Sequence, residues 1–579
     1  MEYKSEKKIC QNCKKDFVIE PEDFKFYEKM KVPAPTFCPE CRMIRRMSFR
    51  NARTVYKRKA IGADSEVFSF FSKNSPFIIY EQNHWWSGDW DAMKEGKSYD
   101  FSISFFEQLK KLMLKIPWPS GYNLQSVNSY YCNNVVDLKN CYLLFNSGFS
   151  ESCAYGVEIL KSNEIFDSTK VVGSELSYEL TDCEKCSRVF FSQDCVGSSE
   201  VYFSKNLVNC HDCFGCINLR HKQYCVFNEQ YTKGKYEEFI KEINFGSYET
   251  VEKMKEKSMN HYLNFPFRYV HGQNNNNVNG DYLDHSKNTH YSFFCREMEN
   301  CKFCQLILFQ PGKDSYDITV AGGELCYEIE EGGGYGVKFS WLVSPKNLKT
   351  RQVHISDIEY SMECFDSSHL FGCVGLKNKS YCILNKQYTK EEYEGLIPKI
   401  IKHMNDMPYI DKKERVYKYG EFFPSELSPF SYNETLAQEY FPLMKTEALD
   451  QGYKWKEKEE RNYIIDIKNK NIPDDVKDVK ENIIGRVIEC EHKGKCSEQC
   501  TEAFKIIESE FKFYKRMNLP LPHLCPSCRH FNRIKKRNPL KLWYRKCMKE
   551  GCDNEFETSY APDRPEIVYC EKCYQQEVY

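Results

Sequence analysis

Twelve cysteines near the ends of this chain fall at spacings that gather thiolates around one ion. They are Cys10-x2-Cys13 with Cys38-x2-Cys41, Cys496-x3-Cys500 with Cys525-x2-Cys528, and Cys547-x4-Cys552 with Cys570-x2-Cys573. Two such knuckles supply four soft anionic donors in a tetrahedron, the ligand set of structural zinc, with no position left open for substrate. Three structural zinc ions are therefore expected. The first two modules are an internal repeat: each places 24 residues between its knuckles, and Phe24-Lys25-Phe26-Tyr27 in one matches Phe511-Lys512-Phe513-Tyr514 in the other. The third is patterned as a zinc ribbon, with strands through 554–560 and 566–569 joined by Pro562-Asp563-Arg564-Pro565.

Each of the first two modules runs on into cations. Arg42, Arg45, Arg46, Arg50 and Arg53 follow Cys41, and Arg529, Arg533, Lys535, Lys536 and Arg537 follow Cys528. Arg42, Arg46, Arg50 and Arg53 recur at helical spacing and share one face. Such a face can hold phosphates through charge and bidentate guanidinium contacts. It can equally pair with an acidic surface of the same chain, because the ends are basic in a protein of net charge −1. Residues 1–60 carry sixteen Lys/Arg against eight Asp/Glu and residues 486–546 fifteen against six, so the middle must be acidic.

The elements that position these groups emerge from the rest of the chain. At 579 residues several domains are expected. From Asn140 the text can be cut at Ser162, Glu184 and Leu207 into units of about 22 residues, each with two short extended pieces and Asn/Ser/Gly turns. This predicts a parallel β-solenoid. Phe214 through Tyr236 recurs 157 residues later as Phe371 through Tyr393, which predicts two lobes. Each lobe should end in a capping helix started by Thr232 or Thr389, the latter in a capping box with Glu392. The fold class expected is mainly β: two parallel β-solenoid lobes with capping helices, flanked by zinc-ribbon or treble-clef-like modules at both ends.

The expected division is 1–58, first zinc module with basic helix; 59–95, metal-free ribbon and Trp cluster; 96–124, helical connector; 125–231, first lobe; 232–264, capping helix and connector; 265–388, second lobe; 389–485, capping helix and linker; 486–540, second zinc module; 541–579, C-terminal ribbon. The metal-free ribbon rests on the alignment of Glu66–Trp85 with Glu555–Tyr574, in which Glu81 and His84 replace Cys570 and Cys573. Trp85, Trp86 and Trp90 read as a clasp onto the first solenoid coil, or as a stacking surface for bases or sugars. Seventeen of the thirty cysteines lie from Cys132 to Cys382. Small buried side chains suit a narrow solenoid, although Cys183-x2-Cys186, Cys210-x2-Cys213-x2-Cys216 and Cys301-x2-Cys304 have knuckle spacing.

The run from Phe37 through Arg53, with Tyr56-Lys-Arg-Lys, the Trp85–Asp91 segment, Phe105–Gln108 and the ending from Tyr560 to Tyr574, resembles a set of multi-ribbon, cysteine-rich repeat proteins of candidate-phyla bacteria. These are built on the "probable zinc-ribbon" domain. The resemblance covers nearly the whole chain and implies no assigned activity. This sequence departs from the set in lacking cysteines around Ala60 and in its stretched later knuckles, where Cys490, His492 and His523 are possible substitute ligands.

Several function classes lose support. No run of about eighteen apolar residues is present, and no apolar stretch follows the N-terminal lysines, so no membrane span or signal peptide is expected. Thirty cysteines then fit a reducing cytoplasm. Gly332-Gly333-Gly334 lacks the Lys-Ser/Thr of a phosphate loop. Carboxylates such as Asp182, Asp194 and Asp357 would support a carbohydrate-active solenoid only by fold analogy. The expectation is a non-enzymatic zinc-binding scaffold with nucleic acid, RNA favoured over DNA, as partner. A protein-interaction scaffold is the alternative and a carbohydrate-active β-helix the third reading. No small-molecule substrate is indicated.

Overall fold

The computed structural model describes residues 3–308, 310–345, 355–458 and 463–578. The parts of the expected divisions that fall between or beyond these spans lie outside the described residues. Two parallel β-solenoid lobes fill the middle of the chain. The strands of one run from Asn123–Leu124 to Glu229–Gln230, and those of the other from Gly272–Gln273 to Lys386–Gln387. The mainly β class with solenoid lobes and end clusters is thus the one observed.

The coil is shorter than the sequence suggested. Ser187 pairs with Ser199, Ser199 with His211 and His211 with Gln223, a parallel register of twelve residues where about 22 was expected. A cut every 22 or 23 residues falls near two turns, so turn residues recurred without revealing the true repeat. The smaller unit is a triplet. Asp137, Asn140, Leu143, Asn146, Phe149 and Ser152 all adopt left-handed backbone, with φ between 51° and 56°. A corner at every third residue gives four short sides per coil, and Asn and Asp tolerate that conformation best among residues with a Cβ. The residue after each corner points inward: Cys141, Leu144, Ser147, Ser150 and Cys153 are all fully buried.

Backbone hydrogen bonding explains which residues line the interior. Along one side, Tyr142 N–H donates to Cys153 O at 3.0 Å and Leu143 N–H to Tyr130 O at 3.1 Å, while Leu144 N–H reaches Cys132 Sγ at 3.4 Å. The inward N–H of one coil is therefore taken by a side chain of the coil before. Ser150 Oγ accepts from Ser162 N–H and Ser162 Oγ from Ser174 N–H, both at 3.2 Å, and Cys153 Sγ accepts from Ile165 N–H at 3.4 Å. Buried N–H groups need partners, and the narrow interior admits only small acceptors. The Cys-x2-Cys spacings of the solenoid are thus successive inward positions. Among the described residues none of these cysteines belongs to a group of three or more metal-ligating side chains.

One outcome follows. Cys153→Ala removes the acceptor for Ile165 N–H and should destabilise by roughly 1–3 kcal/mol, whereas Cys153→Ser keeps an acceptor and should cost less, with metal content unchanged in both. Denaturant midpoints and metal analysis of the two variants check this; an Ala variant as stable as wild type would contradict it.

Each lobe closes in the same way. The final strand folds back antiparallel, Glu229–Gln230 on Gln223–Val226 and Lys386–Gln387 on Ser380–Ile383. The helices Lys233–Glu242 and Lys390–Asp406 follow. Thr232 Oγ1 accepts from Lys235 N–H, and Thr389 with Glu392 forms the expected capping box. Tyr236 and Tyr393 are buried.

The stretch expected as a linker after the second capping helix is instead part of the core. Tyr417, Phe422, Phe423, Phe430 and Tyr432 are fully buried, in extended segments and single 3-10 turns that leave no periodic pattern to read. Trp85 is also fully buried, and it packs with Trp86 on Phe365 while Lys377 Nζ stands 4.0 Å from the Trp85 ring centre. The Trp cluster therefore clasps the late coils of the second lobe rather than the first coil of the first.

A buried acid in this core makes stability pH-dependent. Glu363 accepts from the Tyr122 hydroxyl, and burial pushes its carboxyl up to about 8. The neutral form is favoured in the folded state, so the stability it contributes is present below the ordinary carboxylate range and is lost as pH rises toward 8. Unfolding free energy should fall from pH 5 to pH 8 in wild type and fall less in Glu363→Gln, as measured by denaturant unfolding at the two pH values; parallel losses would contradict the assignment.

Candidate metal centres and their arginine helices

Strand Glu6–Ile9 ends at Cys10, where the chain turns with Cys10 N–H donating to Lys15 O at 2.9 Å and Lys14 in the left-handed region. Cys38 caps helix Pro39–Met47, whose first turn holds Cys41. Pro39 suits the first helical position, where no N–H is needed. The Sγ atoms of Cys10, Cys13, Cys38 and Cys41 lie within 4.8 Å of one another, and Cys13 and Cys38 are 3.7 Å apart. Zn–S bonds of about 2.3 Å in a tetrahedron require S···S distances of about 3.8 Å, so the donors fit zinc. Cys38 N–H and Asn12 Nδ2 donate to Cys10 Sγ and Cys41 Sγ, both at 3.3 Å, and the helix N-terminus adds positive potential. A bound zinc would cross-link the turn to the helix and, with four thiolates, offer no catalytic position.

The second module corrects one ligand. The cluster comprises Cys490, Cys500, Cys525 and Cys528, with Sγ separations of 3.5 Å for Cys525–Cys528, 3.9 Å for Cys500–Cys525 and 4.0 Å for Cys490–Cys528. Cys490 stands in the place assigned to Cys496. It ends strand Ile488–Glu489 as Cys10 ends its own strand, and its Sγ accepts Cys525 N–H at 3.2 Å. The knuckle is Cys490-x9-Cys500, with seven more residues than Cys10-x2-Cys13. The shorter spacing at Cys496 concealed that loop. His523, also considered, stacks on the Tyr248 ring at 3.7 Å and is not in the cluster.

The C-terminal ribbon brings Cys547, Cys552, Cys570 and Cys573 together, with Cys570 N–H donating to Cys547 Sγ at 3.3 Å. Its counterpart near the N-terminus pairs Tyr56–Arg58 antiparallel with Val67–Ser69, and Glu81 caps helix Gln82–Trp86 through the N–H groups of Asn83 and His84. Each ribbon meets the strand leading into one lobe: Ile79–Tyr80 runs parallel to Trp118–Pro119, and Ile567–Tyr569 to Pro266–Arg268.

The basic helices turn inward. Asp317 Oδ2 accepts from Arg42 Nε and Nη2 at 3.0 and 2.8 Å, and its Oδ1 accepts from Arg46 Nη1 at 3.0 Å. Arg45 Nη2 is 2.9 Å from Glu328 and 3.2 Å from Glu421. Arg50 pairs with Glu331, and Arg53 with Glu439 at 3.3 Å. The second helix, Pro526–Ile534, repeats the pattern on the other lobe. Arg529 pairs with Asp167, Arg533 Nη1 lies 3.2 Å from Asp167 Oδ1, and Arg537 is bidentate to Asp182 at 3.0 and 2.7 Å. Burial pushes the Asp182 carboxyl up, but the cations of Arg537 and Lys170 outweigh it and hold it below its ordinary value.

Equivalence extends to detail. Arg46 Nε and Arg533 Nε reach Thr319 and Thr169 hydroxyls at 3.3 and 3.2 Å. Phe26 stacks on Tyr316 with ring centres 3.8 Å apart, and Phe513 on Phe166 at 4.3 Å. The first module thus docks on the second lobe and the second module on the first.

This replaces the expectation that Arg42, Arg45, Arg46, Arg50, Arg53, Arg529, Arg533, Lys535, Lys536 and Arg537 face a phosphate backbone. Lys535 is exposed and holds Glu498, Lys536 pairs with Glu179 at 2.9 Å, and the arginines are buried or nearly so. Helical spacing holds for Arg42 and Arg46, which share Asp317, while Arg50 and Arg53 lie beyond the helix end at Met47 and reach Glu331 and Glu439; what the face meets was decided by Asp317, Glu328 and Asp167. Those acids look like any polar residue of the repeat. The charge imbalance between ends and middle was the available signal.

The remaining candidate carboxylates each have a partner. Asp182 is occupied by Arg537, Asp194 accepts from the Tyr282 hydroxyl at 3.1 Å, and Asp357 lies 3.6 Å from His369 on the surface. Gly332 runs inside the solenoid with φ 108°, where a Cβ would stand 2.1 Å from Val343 O, so its glycine serves coil packing.

No family model matches the chain, and no curated protein matches it. Among solved structures, an alignment to a protein described as an acetyltransferase from Desulfovibrio desulfuricans G20 spans 52% of this chain and 76% of that one at 9% identity, with a TM-score of 0.11. A score that low carries no argument about fold or function.

Proposed function

We propose that this chain is a zinc-stapled, non-catalytic scaffold that presents its solenoid flanks to a protein partner. The observation that carries the reading is the burial of both arginine helices on aspartates of the opposite lobes, which commits their charge to the molecule's own assembly. The zinc modules then act as fasteners. The exposed flank of the first lobe supports a protein partner over a polyanion. An open cleft of about 790 Å³ there is lined by Asp137, Lys139, Glu151, Lys161, Glu175 and Lys185, a surface of mixed sign with Lys139 and Glu151 paired at 2.7 Å. No helix among the described residues is long and apolar enough to cross a membrane. A reducing compartment and kinship with the multi-ribbon set belong to the same proposal.

The test has two parts. Titration of labelled single- and double-stranded RNA and DNA at about 50 and 200 mM salt, a range in which phosphate-driven binding weakens steeply, should give no binding to any of the four. Affinity capture of the full chain from its own cells, with and without nuclease, should retain the same protein partner in both. Salt-sensitive nucleic-acid binding, or capture that nuclease abolishes, would overturn the reading in favour of a nucleic-acid scaffold.

A further inference from the structure

The loop that lengthens the second module carries its own donors. A His492 ring nitrogen, Cys496 Sγ, a Glu498 carboxylate oxygen and Cys528 Sγ all lie within 4.8 Å of one another. Cys496 Sγ is 3.7 Å from Cys528 Sγ, the separation expected of two thiolates on one tetrahedral zinc. Cys528 also belongs to the four-thiol cluster of Cys490, Cys500 and Cys525. We propose that the second module binds two zinc-class divalent ions bridged by the Cys528 thiolate, the second completed by Cys496, His492 and Glu498. The proposal rests on the reading of the four-thiol clusters as zinc sites.

Two independent observations point to an ion. His492 Nδ1 and Glu498 Oε2 are buried without a hydrogen-bond partner although only 3.4 Å apart, and Glu498 is 6% exposed. Buried polar atoms without partners are costly, and a cation between them and the two sulfurs would satisfy both. The other carboxylate oxygen of Glu498 is held by Lys535, a contact that orients the carboxylate with Oε2 toward His492. The first module supplies the contrast. Its short knuckle carries no such loop, and there Asn12 Nδ2 donates to Cys41, the counterpart of Cys528, at 3.3 Å. A neutral amide thus engages in one copy the thiolate that would bridge in the other. Thiolate, imidazole and carboxylate together suit zinc, and four donors close the site.

Metal analysis of the full chain, loaded with excess zinc and dialysed exhaustively, decides it. Wild type should hold four zinc ions per chain, and Cys496→Ser and Glu498→Gln should each hold three. Glu498→Gln leaves every thiol in place, so it reports even where loss of Cys496 impairs folding. Three ions in wild type, or four retained in both variants, would overturn the bridged pair while leaving the four-thiol sites intact. Fewer than three in wild type would instead overturn the zinc reading from which it proceeds.

Discussion

Chelation should melt both ends of this protein while the inner coils of the solenoid keep their structure. Each closed thiolate site couples ligand binding to folding, with about 10–16 kcal/mol of apparent binding energy. That is comparable to the entire stability of a typical domain, about 5–15 kcal/mol. The thiol clusters tie the turn at Cys10–Lys15 to the start of the helix at Cys38, and Cys490 and Cys500 to the helix at Cys525, so loss of the ion removes that cross-link even though arginines of both helices also hold the lobes. The coils, by contrast, are held by ladders and by inward serines and cysteines that need no ion. Hydrogen exchange before and after removal should show protection lost in residues 3–50 and 486–578 and retained in strands such as Val201-containing Ser199–Tyr202. Ends that stay protected in metal-free protein, or a metal count below three, would refute the role assigned to the clusters.

Asp317→Ala should be among the most damaging single substitutions in the molecule. It leaves Arg42 and Arg46, both fully buried, to share Glu328 with Arg45, at 3.8 and 3.3 Å for the first two, so the cluster of three arginines keeps only Glu328 and Glu421 and one buried cation goes uncompensated. Removing one partner of a buried pair costs about 3–5 kcal/mol because the remaining charge is stranded. Asp167→Ala should behave alike through Arg529 and Arg533. Replacing Arg42, Arg46 and Asp317 together by apolar residues of similar volume should recover much of the loss, since the pair's net contribution is small once desolvation is counted. Denaturant midpoints of these variants supply the measurement. A loss below about 1 kcal/mol for Asp317→Ala, the range of exposed pairs, would mean that the arginine helix is not locked as its geometry indicates.

How much of this was legible in the sequence depends on the range of each signal. Knuckle spacing is local, so two of three thiol clusters could be read directly, and the third lost one member because Cys496 offered a shorter spacing than Cys490. The lobes were legible through duplication. Their coil length was not, since a three-residue side with a left-handed corner has no hydrophobic period of 2 or 3.6 for the eye to follow. The arginine face was read from i, i+4 spacing, yet its partner 275 residues away at Asp317 has no local signature. The buried segment around Phe422 and Phe430 was missed for the same reason: aromatic residues in irregular backbone declare nothing about what they will cover.

Crosswise docking also imposes a timetable on synthesis. Arg42 leaves the ribosome 275 residues before Asp317, and Arg529 follows Asp167 by 362. A nascent chain therefore carries an unmatched cationic helix through nearly half of its elongation, and its completed first lobe waits with bare carboxylates until almost the last residues arrive. Contacts of such long separation form late and leave intermediates vulnerable to mispairing. The protein behaves as a handshake between its two halves, in which neither grip can close until the other hand has been made.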